Sequence, residues 1–191
     1  MSAKALKQLM PVWVYTVVAF VLGTLSYDPK FSWRQNLTLV VSGILSWMLI
    51  EYGLHRFIFH YSARSSFGRR FIYAAHMSHH ENPRATRGVF SGFFLSAPVA
   101  GIYGLLLYAT TRSAHIASFL LIGVAVGYIS YQLLHYQAHH RKPRLRVLRY
   151  LQAYHLLHHY RTPDLRFGVT TPVIDLAFGT FRPVIKRFST H

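Results

Sequence analysis

The sequence predicts an all-α integral membrane protein of four transmembrane helices with a cytoplasmic helical cap that collects most of its histidines. Three observations predict it. Apolar residues form four long runs, eleven of the thirteen histidines form four short clusters, and Lys and Arg outnumber Asp and Glu 21 to 5. A hydrophobic fraction of 52% and a mean hydropathy of +0.22 are high for a soluble chain of 191 residues, a length that suits one domain over residues 1–191.

The first run, about 10–27, is long enough for a ~30 Å hydrocarbon core at ~1.5 Å per residue. Lys4 and Lys7 precede it without a clear small-residue cleavage site, so it reads as a retained span. A loop from Asp28 to Gln35 leads to the second run, about 37–54, which ends at His55. Residues 55–88 are polar and basic and form the first part of the cap. The third run, 89–110, and the fourth, 116–134, are joined by a turn short enough for an antiparallel helical hairpin. The fourth helix continues through His135 to His140 and stops before Pro143, which disfavours helix in the residue ahead of it. A helix from about Arg144 to Tyr160 comes next, and Pro163, Gly168, Pro172 and Gly179 break up the rest of the cap, 135–181.

Four spans place all four histidine clusters and both termini on one side. Lys30, Arg34 and Arg112 fall on the other, leaving eighteen cations with the histidines, so the positive-inside rule makes that side cytoplasmic, in a bacterial inner membrane or the endoplasmic reticulum. The cations flank apolar blocks without a nucleic-acid-binding motif, which argues for lipid contact over phosphate-backbone binding. With no cysteine, disulfides, thiolate zinc sites and thiolate catalysis are excluded.

In Tyr154-His155-Leu-Leu-His158-His159-Tyr160 the imidazoles stand at i, i+3 and i+4, on one face of a helix, and His76, His79 and His80 repeat the spacing. That is a metal-ligand face. His135 and His139 lie one turn apart. His55 and His60, five positions apart, diverge by about 140° on an ideal helix, so either they serve different metals or the helix ends between them. His140 ranks below these, and His115 and His191 read as ordinary polar residues. Ten candidate ligands exceed what one ion accepts. Two ions with about five nitrogens each use the set and leave a position for dioxygen or substrate. Neutral imidazole suits iron, zinc, copper and nickel, and zinc has no redox chemistry. Among Glu51, Glu81, Asp164 and Asp175, the last two are favoured to support the ligands; Asp28 lies on the wrong face. No catalytic group beyond the ligands is singled out.

The four clusters, His55-Arg-Phe-Ile-Phe-His60, His76-Met-Ser-His79-His80, His135-Tyr-Gln-Ala-His139-His140 and the 154–160 box, resemble the histidine boxes of the fatty acid hydroxylase and sterol desaturase superfamily, with the strongest likeness to fatty acid 2-hydroxylases. The run Arg166-Phe-Gly-Val-Thr-Thr-Pro and the segment Asp175-Leu-Ala-Phe-Gly179-Thr resemble the stretch C-terminal to the last box of those enzymes. The resemblance covers roughly Glu51 to Phe181. It implies a membrane oxygenase with a histidine-bound di-iron centre, in which zinc can replace iron on purification, using dioxygen and two external electrons to hydroxylate a lipid, most simply carbon 2 of a fatty acid or sphingolipid acyl chain. No fused cytochrome b5 domain precedes the first span, so the expected donor is a separate cytochrome b5-like protein or a ferredoxin with its reductase. Two alternatives remain: a sterol or carotenoid hydroxylase or desaturase of the same superfamily, and a membrane metal-binding or transport protein. Transport predicts ionisable groups within the spans, and these runs hold almost none.

Overall fold

A computed structural model describes residues 10–85 and 88–184, and among them there is helix and loop but no strand. Helix α1 is Met10–Leu25 and α2 is Trp33–Gly53, which runs without a break into a π-helical stretch, Leu54–Phe59. The cap continues with α3 (Ser66–Ile72), a second π-helical stretch (Tyr73–Met77) and the single turn α4 (Ser78–Glu81). Then come α5 (Gly88–Thr111), α6 (Ala114–His140), α7 (Arg146–Tyr160) and the short α8 (Val173–Ala177).

Helix α2 begins four residues ahead of the apolar run because of a capping box. Ser32 Oγ accepts from Gln35 N, and Gln35 Oε1 accepts from Ser32 N at 2.8 Å. The Ser113 and Ser65 side chains cap α6 and α3 by the first half of that pair alone, accepting from Ile116 N and Gly68 N. Residues 55–81, expected only as a polar cap segment, are largely helical. Helix α7 starts at Arg146, with Leu145 still extended at ψ 136°.

Helix α6 is the axis of the bundle, with α1, α2 and α5 packed around it. Its backbone meets that of α2 at Gly43 and Gly123, where a Cβ on either residue would lie 2.1 Å from the carbonyl oxygen of Leu120 or Val40. Toward the cap, Tyr15, Trp47, Val124, Ala125 and Tyr128 form the buried core. At the opposite end, buried His115 ties the α1–α2 loop to α6: Nδ1 accepts from Asp28 N at 3.0 Å, leaving Nε2–H to donate to Asn36 Oδ1 at 2.8 Å. It stands far from the other clusters, as a polar structural residue should, and His191 lies outside the described residues.

Among the described residues, Trp33–Phe59 and Ala114–His140 are long and apolar enough to cross a membrane, while Met10–Leu25 and Leu95–Thr111 are shorter apolar helices. Phe20, Leu45, Leu49 and Leu105 are exposed on the outside of the bundle, an apolar surface that water would not tolerate well.

Candidate metal centre

All ten candidate histidines converge. They form two groups of five, His55, His60, His76, His80 and His158 in one, and His79, His135, His139, His155 and His159 in the other, with the ligand atoms of each group within 4.8 Å of one another. His140 belongs to neither. The groups adjoin, His80 stacking on His159 at a ring separation of 4.1 Å.

The two three-histidine boxes divide in a reciprocal way. His76 and His80, at i and i+4, enter the first group and His79 enters the second; His155 and His159 enter the second and His158 the first. Each helix running out of the bundle supplies the remaining pair. On α6, His135 and His139 are one α-turn apart. On the extension of α2, the π-helical winding hydrogen-bonds i to i+5, which stacks residues five apart and brings His60 onto the face of His55, their rings 5.1 Å apart. The helical stretch ends at Phe59, so the second alternative, a helix end between the two, holds, and the pair falls in one group instead of serving different metals.

The segment after α7 fixes ring orientation. Phe167 O lies 2.5 Å from His55 Nδ1 and Leu165 O lies 2.7 Å from His158 Nδ1. A carbonyl only accepts, so both Nδ1 atoms carry the proton and both Nε2 lone pairs face the group. Between these two carbonyls, Arg166 takes a left-handed φ of 63°, which non-glycine residues adopt at a cost of about 1–3 kcal/mol.

Two buried carboxylates hold this segment. Asp175 accepts from Phe167 N and Gly168 N, each at 2.8 Å, and from Thr180 Oγ1 at 2.7 Å; Glu51 accepts from Val169 N, Thr170 N and Trp47 Nε1. Asp175 thus reaches the histidines through the backbone and not by touching a ring. Asp164 is exposed and makes no hydrogen bond to a histidine among the described residues, acting on His60 only through its charge. Glu51 does what the sequence favoured Asp164 to do. Its signal was a lone carboxylate in an apolar run, which burial forces to find donors.

The donor set fits metal ions. His76 Nε2 lies 3.1 Å from His55 Nε2 and 2.9 Å from His80 Nε2, and His139 Nε2 lies 2.9 Å from His155 Nε2. One ring nitrogen has either a proton or a lone pair, so His76 Nε2 cannot satisfy both neighbours by hydrogen bonding. Nitrogens each about 2.05 Å from one ion at a right angle would be about 2.9 Å apart, close to these spacings. The Nε2 atoms of His60, His79, His158 and His159 are buried without a hydrogen-bond partner. Neither group contains a carboxylate among the described residues.

Burial, reinforced by neighbouring imidazoles, pushes His79 and His158 down to about 3 and His80 to about 4, and lowers His76, His155 and His159 as well; burial lowers His60 against the charge of Asp164. The rings are therefore neutral donors near pH 7. Free histidine titrates near ~6.5, so below that pH the unfolded chain binds protons that the folded chain refuses. A chelator-stripped protein is expected to keep its Tm above about pH 6.5 and lose it progressively from there to about pH 3, where His79 and His158 take up protons in the folded state. A flat Tm across that interval in detergent would contradict the burial of these rings.

An apolar cavity lies between α1, α2, α5 and α6, walled by residues such as Val18, Ile50, Val99 and Val124. It ends against both groups, at His55 and His76 of the first and His79, His135 and His139 of the second. Phe59, Tyr131 and Tyr136 also line it, whereas Phe57, Tyr61, Phe71, Tyr73 and Tyr160, aromatic residues beside the boxes, are exposed on the outside. Of the cations near the boxes, Arg84 donates to His139 O at 3.2 Å and Arg141 is exposed; Arg87 lies outside the described residues.

Residues 40–180 match the family model described as fatty acid hydroxylase. The chain belongs to the fatty acid hydroxylase family. It is 34% identical to dihydroceramide fatty acyl 2-hydroxylase FAH2 of Arabidopsis thaliana over 92% of this chain and 72% of that protein. It is 32% identical to the fatty acid 2-hydroxylase of Rattus norvegicus over 76% of this chain and 40% of the rat protein. A solved structure described as full-length scs7p, with only the hydroxylase domain visible, matches with a TM-score of 0.85 at 27% identity, over 93% of this chain and 67% of that one. The family match takes in both histidine groups and the carboxylate-held segment, except for Phe181 and beyond.

Proposed function

We propose that this fatty acid hydroxylase family member hydroxylates a lipid acyl chain within a membrane, at carbon 2 of a fatty acid or sphingolipid. The cavity carries the reading: an apolar space bounded by membrane-type helices meets both nitrogen groups at one end, so a bound acyl chain would present a C–H bond to them. The relatives named as dihydroceramide fatty acyl and fatty acid 2-hydroxylases support carbon 2 as the position.

In this reading the chain is one domain over 1–191, with spans at about 10–27, 37–54, 89–110 and 116–134 and a cytoplasmic cap at about 55–88 and 135–181. Two iron ions, one per histidine group, would supply the power to activate dioxygen and oxidise an unactivated C–H bond. The balance is one oxygen atom to carbon and the other to water, with two protons and two electrons from a separate donor, cytochrome b5-like or a ferredoxin with its reductase. The ten histidines hold the ions as neutral donors, the carbonyls of Leu165 and Phe167 keep His158 and His55 in the required tautomer, and the apolar walls align the chain and exclude water.

The test is lipid mass spectrometry of cells supplied with labelled dioxygen, expressing either this chain or His158→Ala. Loss of one ligand is expected to lower labelled product by at least about a hundredfold, beyond the usual effect of groups that merely orient ligands, and to lower bound iron. Labelled product undiminished in His158→Ala would refute the ligand assignment, and none from the intact chain would refute hydroxylation.

A further inference from the structure

The cavity has a floor, and its depth can be read from α6. Leu121, Val124, Tyr128, Gln132 and His135 recur at intervals of three and four, so they line one continuous face of the helix. Leu121 is the lining residue of α6 farthest from the histidines. Leu22 of α1 and Tyr103 of α5 also line the cavity, and around this level the helices approach closely: a Cβ on Gly104 would lie 3.1 Å from Leu121 Cδ2 and one on Gly23 would lie 3.6 Å from Ile122 Cδ1. One turn further along, Ser118 is buried and hydrogen-bonded to Ser26 at 2.8 Å, which joins the end of α1 to α6 beneath Leu121.

We propose that Leu22, Tyr103 and Leu121 form a stop that sets the length of acyl chain accepted, an inference that rests on the acyl-hydroxylase reading above. From His135 to Leu121 is fourteen residues, about 21 Å at ~1.5 Å per residue. An extended hydrocarbon advances about 1.25 Å per carbon, from bonds of ~1.5 Å meeting at ~111°, so the depth holds about sixteen carbons beyond the reacting position. The polar groups midway along the wall do not oppose this occupant: Gln132 donates to Tyr128 OH at 2.6 Å, and Glu51 accepts from Val169 N, Thr170 N and Trp47 Nε1. Tyr15 OH donates to Ser96 Oγ at 2.9 Å and Ser96 Oγ to Tyr128 OH at 3.2 Å, so these hydroxyls are paired with one another and not held out for a polar ligand.

The experiment feeds cells expressing the full chain a series of saturated fatty acids, from dodecanoic to hexacosanoic, under labelled dioxygen, and compares products from the intact chain, Leu121→Trp and Tyr103→Ala. The intact chain is expected to peak near octadecanoyl and fall steeply beyond. Tryptophan reaches about 3 Å further than leucine, so Leu121→Trp should move the peak down by about two to four carbons and cut the octadecanoyl-to-tetradecanoyl ratio at least tenfold. Tyr103→Ala should move it the other way. Retained tetradecanoyl product shows that Leu121→Trp is folded; if it does not accumulate, Leu121→Phe carries the same test with less bulk. Equal hydroxylation up to hexacosanoyl by the intact chain, or active variants with an unshifted profile, would overturn the stop. No labelled product of any length from the intact chain would instead overturn the hydroxylase reading beneath it.

Discussion

Asp175→Asn is expected to lower hydroxylated product by about tenfold, the low end of the range for groups bonded directly to metal ligands, because Asp175 acts on them through the backbone. Asp175 is fully buried and receives three hydrogen bonds, two from consecutive backbone amides. Asparagine keeps one acceptor oxygen and turns an NH2 toward an N–H, leaving a buried donor unpaired at about 1–3 kcal/mol. The segment that shifts carries Leu165 O and Phe167 O, which hold His158 and His55, both in the first histidine group. On the two-ion reading proposed above, bound metal should therefore fall from two ions per chain toward one while helix content is retained, a pattern that general unfolding would not give. Asp164→Asn is the control: an exposed side chain with no hydrogen bond to a histidine among the described residues, where a change within about 0.5 kcal/mol is expected. Full metal and full product in Asp175→Asn would show that the segment does not need its carboxylate.

Gly123→Val should leave little folded protein. A Cβ there meets Val40 O at 2.1 Å and the Cα of Gly43 at 2.8 Å, so the obstacle is backbone and no side chain can swing aside. Overpacking of this kind costs about 1–3 kcal/mol where neighbours can yield, and here α2 and α6 must separate instead. Those two helices lead directly to His55 and His60 and to His135 and His139, so the separation would also pull the nitrogen groups apart. Detergent-solubilised yield and Tm are the readouts, compared with Gly101→Ala, whose added Cβ meets nothing within 4 Å. A Gly123→Val protein that melts at the wild-type temperature would contradict the crossing.

Much of the site was legible in the sequence because histidines clustered within a helical turn or two have few uses besides metal, six of them at i, i+3 and i+4, and the ten histidines singled out are the ten that converge. Spacing names a face and not a destination. It could not show that His79 and His158 leave their own boxes for the opposite group, since two adjoining centres lie within reach of one helical face. The His55–His60 pair was ambiguous because a π-helical stretch has no sequence pattern comparable to a capping box. The Ser32–Gln35 box, by contrast, was readable and would have placed the start of α2 correctly. Asp164 drew attention through its nearness to the last box, whereas exposure decides such cases, and Glu51 was the carboxylate with nowhere to go but inward.

The exchange of His79 and His158 bears on how the molecule comes together. The chain before residue 86 contributes four nitrogens to the first group and one to the second; the chain after residue 87 contributes four to the second and one to the first. Neither half contains a finished cluster. A first hairpin, however well formed, holds only an incomplete set of donors for either cluster, so completing both requires that the two halves of the chain dock.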